Sequence, residues 1–217
     1  MDYIRKDEAW IPKLGFGTFN LTGREAVGAI QFALDAGYRH FDTAQMYENE
    51  EVIGRVLGQT EVPRERLFIT TKVWGTNLNE ERFLPSVEKS LKLLKQDYVD
   101  LLLIHWPNKT IPLKESLDQL QEAQEKGYCK HIGVSNFTIQ LLEEVKSYGV
   151  NIICNQFEYH PFLDQQALLD KTRELGCFAT AYSPIARGMV ADEKVIKEIA
   201  TYKRVTPVQV ALRWLAQ

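Results

Sequence analysis

The chain alternates short apolar runs with longer amphipathic runs along almost its whole length, and this rhythm constrains its fold more than any other feature. The short runs are bounded by Gly, Asp or Pro, and several are rich in β-branched or aromatic residues, as β-strands are. Repeated strand–helix units imply parallel strands joined by right-handed crossovers. The alternation therefore predicts an α/β fold with strands at Lys13–Thr18, Arg39–Thr43, Leu67–Lys72, Val99–His105, Lys130–Val134, Ile152–Gln156 and Phe178–Ser183.

The longer runs have the apolar periodicity of helices. Five of them are followed by a glycine, which is the usual left-handed cap of a helix; these are Gly37, Gly58, Gly127, Gly149 and Gly176. A further helix is predicted after Thr206, which serves as the N-cap, with Pro207 at the first helical position. The other predicted helices are Arg24–Ala36, Asn49–Leu57, Glu80–Leu94, Leu113–Lys126, Ile139–Ser147, Asp164–Leu175 and Asp192–Thr201.

Two α/β architectures fit this order of elements, a TIM-type barrel and a doubly wound sheet. The first predicted strand is not followed by a dinucleotide-binding glycine fingerprint, because Gly15–Thr18 lacks the third glycine and leads into a loop. This favours the barrel and leaves the doubly wound sheet as the alternative. Only seven strands are recognisable before Gln217, whereas a (β/α)8 barrel has eight.

Composition excludes several classes of function. Charges of both signs are mixed along the chain and sum to −3, so no basic face for nucleic acid or membrane is expected. The three cysteines are far apart and lie in apolar runs, which predicts buried free thiols and neither a disulfide nor a metal site. The segment Met1–Glu8 is too polar for a signal peptide and no apolar run reaches membrane-spanning length. A cytoplasmic protein is expected.

Four ionisable side chains stand at or just beyond the ends of three consecutive predicted strands. Asp42 ends the second strand and Tyr47 follows five residues later, Lys72 ends the third strand, and His105 ends the fourth. Each alone has an ordinary structural explanation, such as a cap, a solvated chain end or a core histidine. The carboxyl ends of barrel strands converge on one face, however, and four such groups at successive ends predict a shared site.

These residue types suit the reduction of a carbonyl group, which needs a hydride from a cofactor and a proton for the developing alkoxide. Tyrosine is a weak acid at neutral pH, and a neighbouring ammonium such as that of Lys72 lowers its pKa. Asp42 can keep this ammonium charged in a water-poor cleft. His105 can donate a hydrogen bond to the carbonyl oxygen and spread its negative charge.

The amino-acid sequence around these residues resembles that of the aldo-keto reductase superfamily. The likeness runs from about Gly15 to Gln217, with the motifs in the family's order and spacing. The segments that carry it are Gly37–Ala44, Tyr47–Glu50, Thr71–Trp74, Asp97–Leu101, His105–Pro107, Gly133–Phe137, Asn155–Pro161 and Ala181–Pro184.

This resemblance implies a (β/α)8 barrel in which Tyr47 donates the proton and Asp42, Lys72 and His105 assist it. It also implies two groups of ligand-binding residues. Those expected to bind the cofactor are Gly17, Thr18, Asp42, Ser135, Asn136, Gln156, Tyr182, Ser183 and Ile185. Those expected to form an apolar substrate pocket are Phe19, Tyr47, Trp74, His105 and Trp106, although the tryptophans fit ordinary packing equally well.

The resemblance further implies NADPH as the cofactor, with NADH possible, and a small aldehyde, α-dicarbonyl or keto-sugar as substrate. Within the superfamily, the short connection Asn108–Pro112 resembles bacterial members, and the segments Thr43–Glu50 and Ser135–Ile139 are similar to the 2,5-diketo-D-gluconate reductase and methylglyoxal reductase branch. The alternative is a nucleotide-binding barrel with impaired turnover that acts as a regulatory or structural module. A metal-dependent lyase is a weaker third reading, because His105 and His160 lack a convincing carboxylate ligand set.

Family members continue past the equivalent of Trp214 into an eighth strand, a basic turn that binds the 2′-phosphate, and a last helix and loop. Three explanations stand for their absence here: a retained part of a longer protein, a shortened chain whose gap a partner covers, or a natural short form without activity. Residues 1–217 are expected to form a single, incomplete barrel domain. Because its edge strands lack partners, we expect lower stability than in longer relatives, or self-association through the open edge.

Overall fold

The structure, a computed structural model, describes residues 2–6 and 9–217. Met1, Asp7 and Glu8, which belong to the segment considered for a signal peptide, lie outside the described residues. All seven predicted strands are present, with boundaries shifted by a few residues. The strands of the described chain are β1 (Tyr3–Lys6), β2 (Ala9–Pro12), β3 (Gly15–Gly17), β4 (His40–Asp42), β5 (Phe68–Val73), β6 (Val99–Ile104), β7 (Cys129–Ser135), β8 (Cys154–Glu158) and β9 (Phe178–Tyr182).

Strands β3 to β9 form one parallel sheet in which each strand pairs with the next strand along the chain. A doubly wound sheet reverses its strand order at a switch point, so this alternative is wrong. The sheet curls until Gln156 of β8 contacts Asp42 of β4 across its interior. The architecture is therefore a TIM-type barrel, and within residues 2–6 and 9–217 it has seven strands, with β3 and β9 as the edges.

Side chains alternate between the interior and the exterior of the barrel along each strand, as the two-residue period of a strand requires. In β6, Leu101 and Leu103 belong to the cluster inside the barrel, whereas Leu102 and Ile104 belong to the cluster between sheet and helices. Strands buried on both faces read as continuous apolar runs, which is why the sequence revealed them. The larger core therefore lies between the strands and the helices.

A β-hairpin formed by β1 and β2 covers the amino end of the barrel, and the sequence did not predict it. Ala9 and Ile11 of β2 are buried and pack in one cluster with Phe68 and Leu101, which point into the barrel. The two strands are only four residues long, and β2 ends in a proline. Such short runs are stable through the surface they cover, so their own sequence gives little signal.

Eight α-helices of the described chain connect or follow the strands, in good agreement with the predicted ones. Thr206 caps the last helix in a full capping box, with Pro207 at the first position, as predicted. Four of the five capping glycines have positive φ, but Gly58 is right-handed at φ −74°, so that prediction is wrong. No helix among the described residues has the length and apolar content of a membrane span. The helices are α1 (Gly23–Asp35), α2 (Glu50–Leu57), α3 (Phe83–Leu94), α4 (Leu113–Glu125), α5 (Ile139–Ser147), α6 (Gln166–Glu174), α7 (Lys194–Lys203) and α8 (Pro207–Leu215).

The three cysteines are buried and unpaired, as predicted. Burial raises the pKa of the Cys129 and Cys154 thiols to about 12 and that of Cys177 to about 11. At neutral pH these thiols are therefore protonated and behave as small apolar side chains.

Candidate active site

The alternation of side chains places one layer of polar groups inside the carboxyl end of the barrel. Phe41 and Val134 pack outward against the helices, so their neighbours Asp42 and Ser135 lie on the inner side. The same alternation brings Lys72 of β5 and Gln156 of β8 inward, whereas the preceding residue Thr71 points outward to Glu50. Polar residues near the carboxyl ends of four strands thus meet at one place.

The ammonium of Lys72 lies at the centre of this layer and is completely buried. It donates one hydrogen bond to a carboxylate oxygen of Asp42, one to the Thr43 carbonyl at 2.9 Å and one to Tyr47 Oη at 3.3 Å. Burial by itself lowers the pKa of Lys72, but the charge of Asp42 and the hydrogen bonds outweigh it, and the pKa is raised. Its three protons therefore have three acceptors, and the group stays charged.

Asp42 is held from three sides. One carboxylate oxygen accepts the bond from Lys72, and the other accepts a 2.8 Å hydrogen bond from Gln156 Nε2. Its backbone carbonyl accepts hydrogen bonds from both the amide, at 3.0 Å, and the hydroxyl, at 2.9 Å, of Thr18. The end of β3 at Gly17 and the loop that begins with Thr18 and Phe19 are therefore fixed to the backbone of the residue whose carboxylate pairs with Lys72.

Tyr47 lies at the end of a short 3-10 helix, Gln45–Tyr47, with its hydroxyl directed at Lys72. Burial raises the pKa of Tyr47, and the positive charge of Lys72 only partly offsets this effect. The expectation that Lys72 lowers the tyrosine pKa gives the correct direction for that one interaction but the wrong net direction. Without bound ligands, Tyr47 therefore keeps its proton throughout the neutral range.

His105 follows β6 and is buried beside Tyr47, with the two ring centroids 5.6 Å apart at a steep angle. Burial, and next the positive charge of Lys72, lowers the pKa of His105 to about 4. The imidazole is therefore neutral at physiological pH. Its Nδ1 atom is buried without a hydrogen-bond partner among the described residues. A buried ring nitrogen of this kind is suited to a partner supplied by a ligand.

Three of the predicted cofactor-binding residues form a hydrogen-bonded group beside His105. The Tyr182 hydroxyl donates to Asn136 Oδ1 at 2.9 Å, and Asn136 Nδ2 donates to Ser135 Oγ and to the His105 carbonyl, both at 3.0 Å. Asn136 has φ +63°, a left-handed conformation that asparagine tolerates better than most residues. The Asn136 backbone amide donates to the Gln156 carbonyl at 2.8 Å, and Gln156 in turn contacts Asp42, so this group is connected to the charged layer through Gln156.

The loop that follows β9 bends through unusual backbone conformations. Ser183, Ala186 and Arg187 have positive φ values of 48°, 47° and 54° although none is glycine. Non-glycine residues in this region are uncommon and cluster at functional sites. The loop contains the predicted residues Ser183 and Ile185, and the exposed Arg187 lies two residues further on.

The predicted substrate-pocket residues are only partly brought together. The ring of Phe19 lies 5.1 Å from that of Tyr47, and the ring of Trp74 lies 5.2 Å from that of His105. The rings of Phe19 and Trp74 therefore lie beside Tyr47 and His105, respectively. Trp106 is 45% exposed, and no ring contact joins it to this group within the described part of the chain.

The sequence reasoning also overlooked the Thr43 carbonyl, which accepts one of the three bonds from Lys72. Backbone acceptors carry no signal in a sequence. In residues 2–6 and 9–217, no group of three or more His, Cys, Asp or Glu side chains is arranged to hold a metal ion.

Comparison with known proteins adds an independent finding. The sequence profile of the Aldo/keto reductase family matches residues 13–217. The chain is 41% identical over 208 residues to methylglyoxal reductase DkgB of Salmonella typhimurium, covering 94% of this chain and 78% of that protein. It is 40% identical over 206 residues to glyoxal reductase of Bacillus subtilis, covering 94% and 74%. A crystal structure provisionally described as 2,5-diketo-D-gluconic acid reductase B superposes with a TM-score of 0.97 at 42% identity, over 100% of this chain and 78% of the other.

Proposed function

The chain belongs to the aldo/keto reductase family, and on that premise we propose that it reduces small aldehydes and α-dicarbonyl compounds to alcohols with NADPH. The relatives named for methylglyoxal and glyoxal support this choice of substrate class. NADH is the alternative cofactor and is tested alongside. We also propose that residues 1–217 act as one domain, because the polar layer draws its side chains from β4, β5, β7 and β8 together.

The residues present fit a nicotinamide cofactor. Ser135, Asn136 and Gln156 offer neutral donors and acceptors of the kind that a carboxamide needs, and the half-buried ring of Tyr182 offers a stacking surface. The left-handed backbone at Ser183 and next to Ile185 is of the kind found in anion-binding loops, and we assign this loop to the pyrophosphate. Gly17 pairs with Asp42 in the sheet and Thr18 bonds the Asp42 carbonyl, so both border the charged layer. When bound, the cofactor supplies the hydride for reduction.

The residues of the chain supply the proton and hold the substrate. Neutral His105 donates a hydrogen bond to the carbonyl oxygen and orients it beside the Tyr47 hydroxyl. The Tyr47 hydroxyl would donate its proton to the substrate oxygen as that oxygen gains negative charge, which leaves a phenolate on Tyr47. The Lys72 ammonium, 3.3 Å away, stabilises this phenolate, and Asp42 keeps Lys72 charged. The Lys72 charge therefore offsets the effect of burial on the pKa of Tyr47 at the moment when the phenolate forms.

Apolar walls complete the site. The rings of Phe19 and Trp74 border Tyr47 and His105 and reduce the access of water to the reacting oxygen. Electrostatic interactions are stronger where water is excluded, so the same side chains that bind an apolar substrate group also strengthen the effect of Lys72.

The single observation that carries the proposal is the hydrogen bond between the buried Lys72 ammonium and the Tyr47 hydroxyl. The test follows the absorbance of NADPH when the purified protein is mixed with methylglyoxal or benzaldehyde. Tyr47→Phe removes the proton donor and should abolish the decay. Tyr202→Phe alters a tyrosine that is 81% exposed on α7 and should leave the decay unchanged.

Decay that persists in Tyr47→Phe would contradict the assigned proton donor. If the unaltered protein is folded by circular dichroism but shows no decay with NADPH or NADH, the reductase proposal fails. A nucleotide-binding module with impaired turnover then becomes the better interpretation, and cofactor binding by fluorescence would distinguish it from an inert barrel.

A further inference from the structure

One side chain near the site uses its whole hydrogen-bonding capacity without belonging to the predicted catalytic or cofactor-binding groups. Gln45 begins the 3-10 helix that ends in Tyr47, and it is half-buried. Its Oε1 atom accepts hydrogen bonds from the Trp74 backbone amide at 2.9 Å and from Asn77 Nδ2 at 3.0 Å. Its Nε2 atom donates to the hydroxyls of Ser86 at 3.0 Å and Ser90 at 3.2 Å.

The orientation of this amide is fixed by chemistry. The Trp74 backbone N–H can only donate, so the oxygen of Gln45 must face it and the nitrogen must face the two serines. The Ser86 hydroxyl is itself turned away, since it donates to the Phe83 carbonyl at 2.7 Å. A single conformation therefore satisfies all four partners, and an apolar side chain of the same length satisfies none of them.

The two bonds that Gln45 Oε1 accepts join two segments that each place an aromatic ring beside His105. One segment ends in Tyr47. The other begins at Trp74 and continues through the 3-10 helix Gly75–Asn77. Tyr47 and Trp74 both contact the ring of His105, at 5.6 Å and 5.2 Å between centroids. The spacing of the proton donor, the histidine and the aromatic wall thus depends on the bridge between their backbones.

A second path leads from Gln45 to the strand that contains Lys72. Ser90 also forms a hydrogen bond with the buried carboxyl group of Glu50, and Glu50 accepts a 2.6 Å bond from the Thr71 hydroxyl. Thr71 precedes Lys72 in β5. Gln45 is therefore connected both to the wall of the pocket and to the strand that supplies the ammonium.

We propose that Gln45 is a positioning residue that sets the width of the substrate pocket by holding the Tyr47 turn against the Trp74 turn, and that it thereby determines selectivity between small and bulky carbonyl substrates. The inference rests on the proposed function for its catalytic readout. Displacements of about 1 Å at reacting groups alter rates by up to about a hundredfold. Loss of the bridge should affect a small substrate more, because a bulky ring still fills a pocket that has widened.

The test compares Gln45→Met, which keeps the length of the side chain, with Gln31→Met on the exposed face of α1. In Gln45→Met, kcat/KM for methylglyoxal should fall about tenfold, and kcat/KM for benzaldehyde should fall less. The ratio of the two then shifts towards benzaldehyde. Gln31→Met should change neither value. Equal losses for both substrates, together with a lower melting temperature, would overturn the proposal and leave Gln45 with a purely structural role.

A milder variant covers the case in which Gln45→Met does not fold. Asn77→Leu removes only one of the bonds to Gln45 Oε1, at a half-buried turn position. It should shift the substrate ratio in the same direction by a smaller factor. An unchanged ratio in a folded Asn77→Leu protein would count against the bridge.

The fluorescence of Trp74 tests the positioning role of Gln45 without relying on enzymatic activity. The emission of Trp74 is obtained as the difference between each protein and its Trp74→Phe counterpart. In the Gln45→Met or Asn77→Leu background this emission should move to longer wavelength and become more accessible to acrylamide, because Trp74 separates from His105. An unchanged difference spectrum overturns the positioning role. If the unaltered protein shows no reductase activity, the proposed function fails, and the Trp74 emission alone still decides the role of Gln45.

Discussion

The Nε2 atom of Gln156 lies 2.8 Å from Oδ2 of Asp42, so the eighth and fourth strands of the chain meet across the interior of the barrel. The same carboxylate holds the Lys72 ammonium through its other oxygen. Asp42 therefore connects β8, where a nicotinamide is proposed to bind, to the ammonium that is hydrogen-bonded to Tyr47.

Replacing this donor should impair catalysis. Gln156→Leu removes one hydrogen bond from a charged carboxylate, an interaction worth about 1.5 to 3 kcal/mol. We expect kcat at saturating NADPH to fall about tenfold, as measured by NADPH oxidation with methylglyoxal. Gln166→Leu, on the exposed face of α6, serves as the control. Equal rates in the two variants would show that Asp42 holds Lys72 without help from Gln156.

Removing the ammonium should affect both stability and activity. Lys72→Met leaves the carboxylate of Asp42 largely buried without its charged partner, and breaking such pairs costs about 3 kcal/mol or more. Urea denaturation should show this loss, and kcat should fall at least a hundredfold because the phenolate of Tyr47 loses its counter-charge. The double variant Asp42→Asn/Lys72→Met should regain part of the stability but none of the activity. A double variant no more stable than Lys72→Met would contradict the charge explanation.

The lowered pKa of His105 predicts that the free energy of unfolding depends on pH. The pKa of His105 is about 4 in the folded chain and about 6.5 in an unfolded one. Between these values the unfolded state binds the extra proton, so the free energy of unfolding rises with pH from about 4 to about 6.5. The full contribution is about 3 kcal/mol. His40, whose pKa burial also lowers, acts in the same direction, whereas the raised pKa of Glu50 acts in the opposite direction.

The contribution of His105 is therefore measured as a difference. Unfolding free energies of the unaltered protein and of His105→Gln are compared at pH 4.5 and pH 7. The unaltered protein should gain more stability over this interval than the variant. Parallel curves for the two proteins would mean that His105 titrates normally.

Two helix glycines differ in the space around them, so replacing each with alanine should have opposite effects on stability. A Cβ atom at Gly54 would lie 2.3 Å from the Leu93 carbonyl oxygen, whereas one at Gly28 on α1 would meet nothing within 4 Å. Gly54→Ala should therefore destabilise the protein by about 1 to 3 kcal/mol. Gly28→Ala should stabilise it by up to about 1 kcal/mol, through helix propensity alone. Thermal unfolding measures both, and a destabilised Gly28→Ala with an unaffected Gly54→Ala would refute the packing argument.

Much of the fold was predictable because its signals are local. Each strand of the barrel is a short apolar run between breakers, and Thr206 and Pro207 mark the start of α8 by their own chemistry. The hairpin β1–β2 was missed because its stability comes from the barrel end that it covers. Gly58 was misassigned because glycine also occurs where a helix ends in the right-handed region.

The position of the candidate site was predictable from the sequence, but the electrostatics of its residues were not. Strand ends located Asp42, Lys72 and His105, and parallel strands guarantee that such ends converge. The net pKa shift of Tyr47 was not predictable, since a sequence shows that Lys72 is near but not how deeply both are buried. The bridge made by Gln45 also escaped notice, because its partners lie about 30 to 45 residues further along the chain.

The burial of Lys72 also bears on chemical survival. α-Dicarbonyl compounds glycate proteins by adding to unprotonated amines, and an enzyme that processes them meets these reagents continually. The ammonium of Lys72 has no lone pair to offer, since its pKa is raised and all three of its protons are donated within the chain. The hydrogen bonds that keep this lysine charged for the proposed proton transfer therefore also shield it from covalent damage by the proposed substrates.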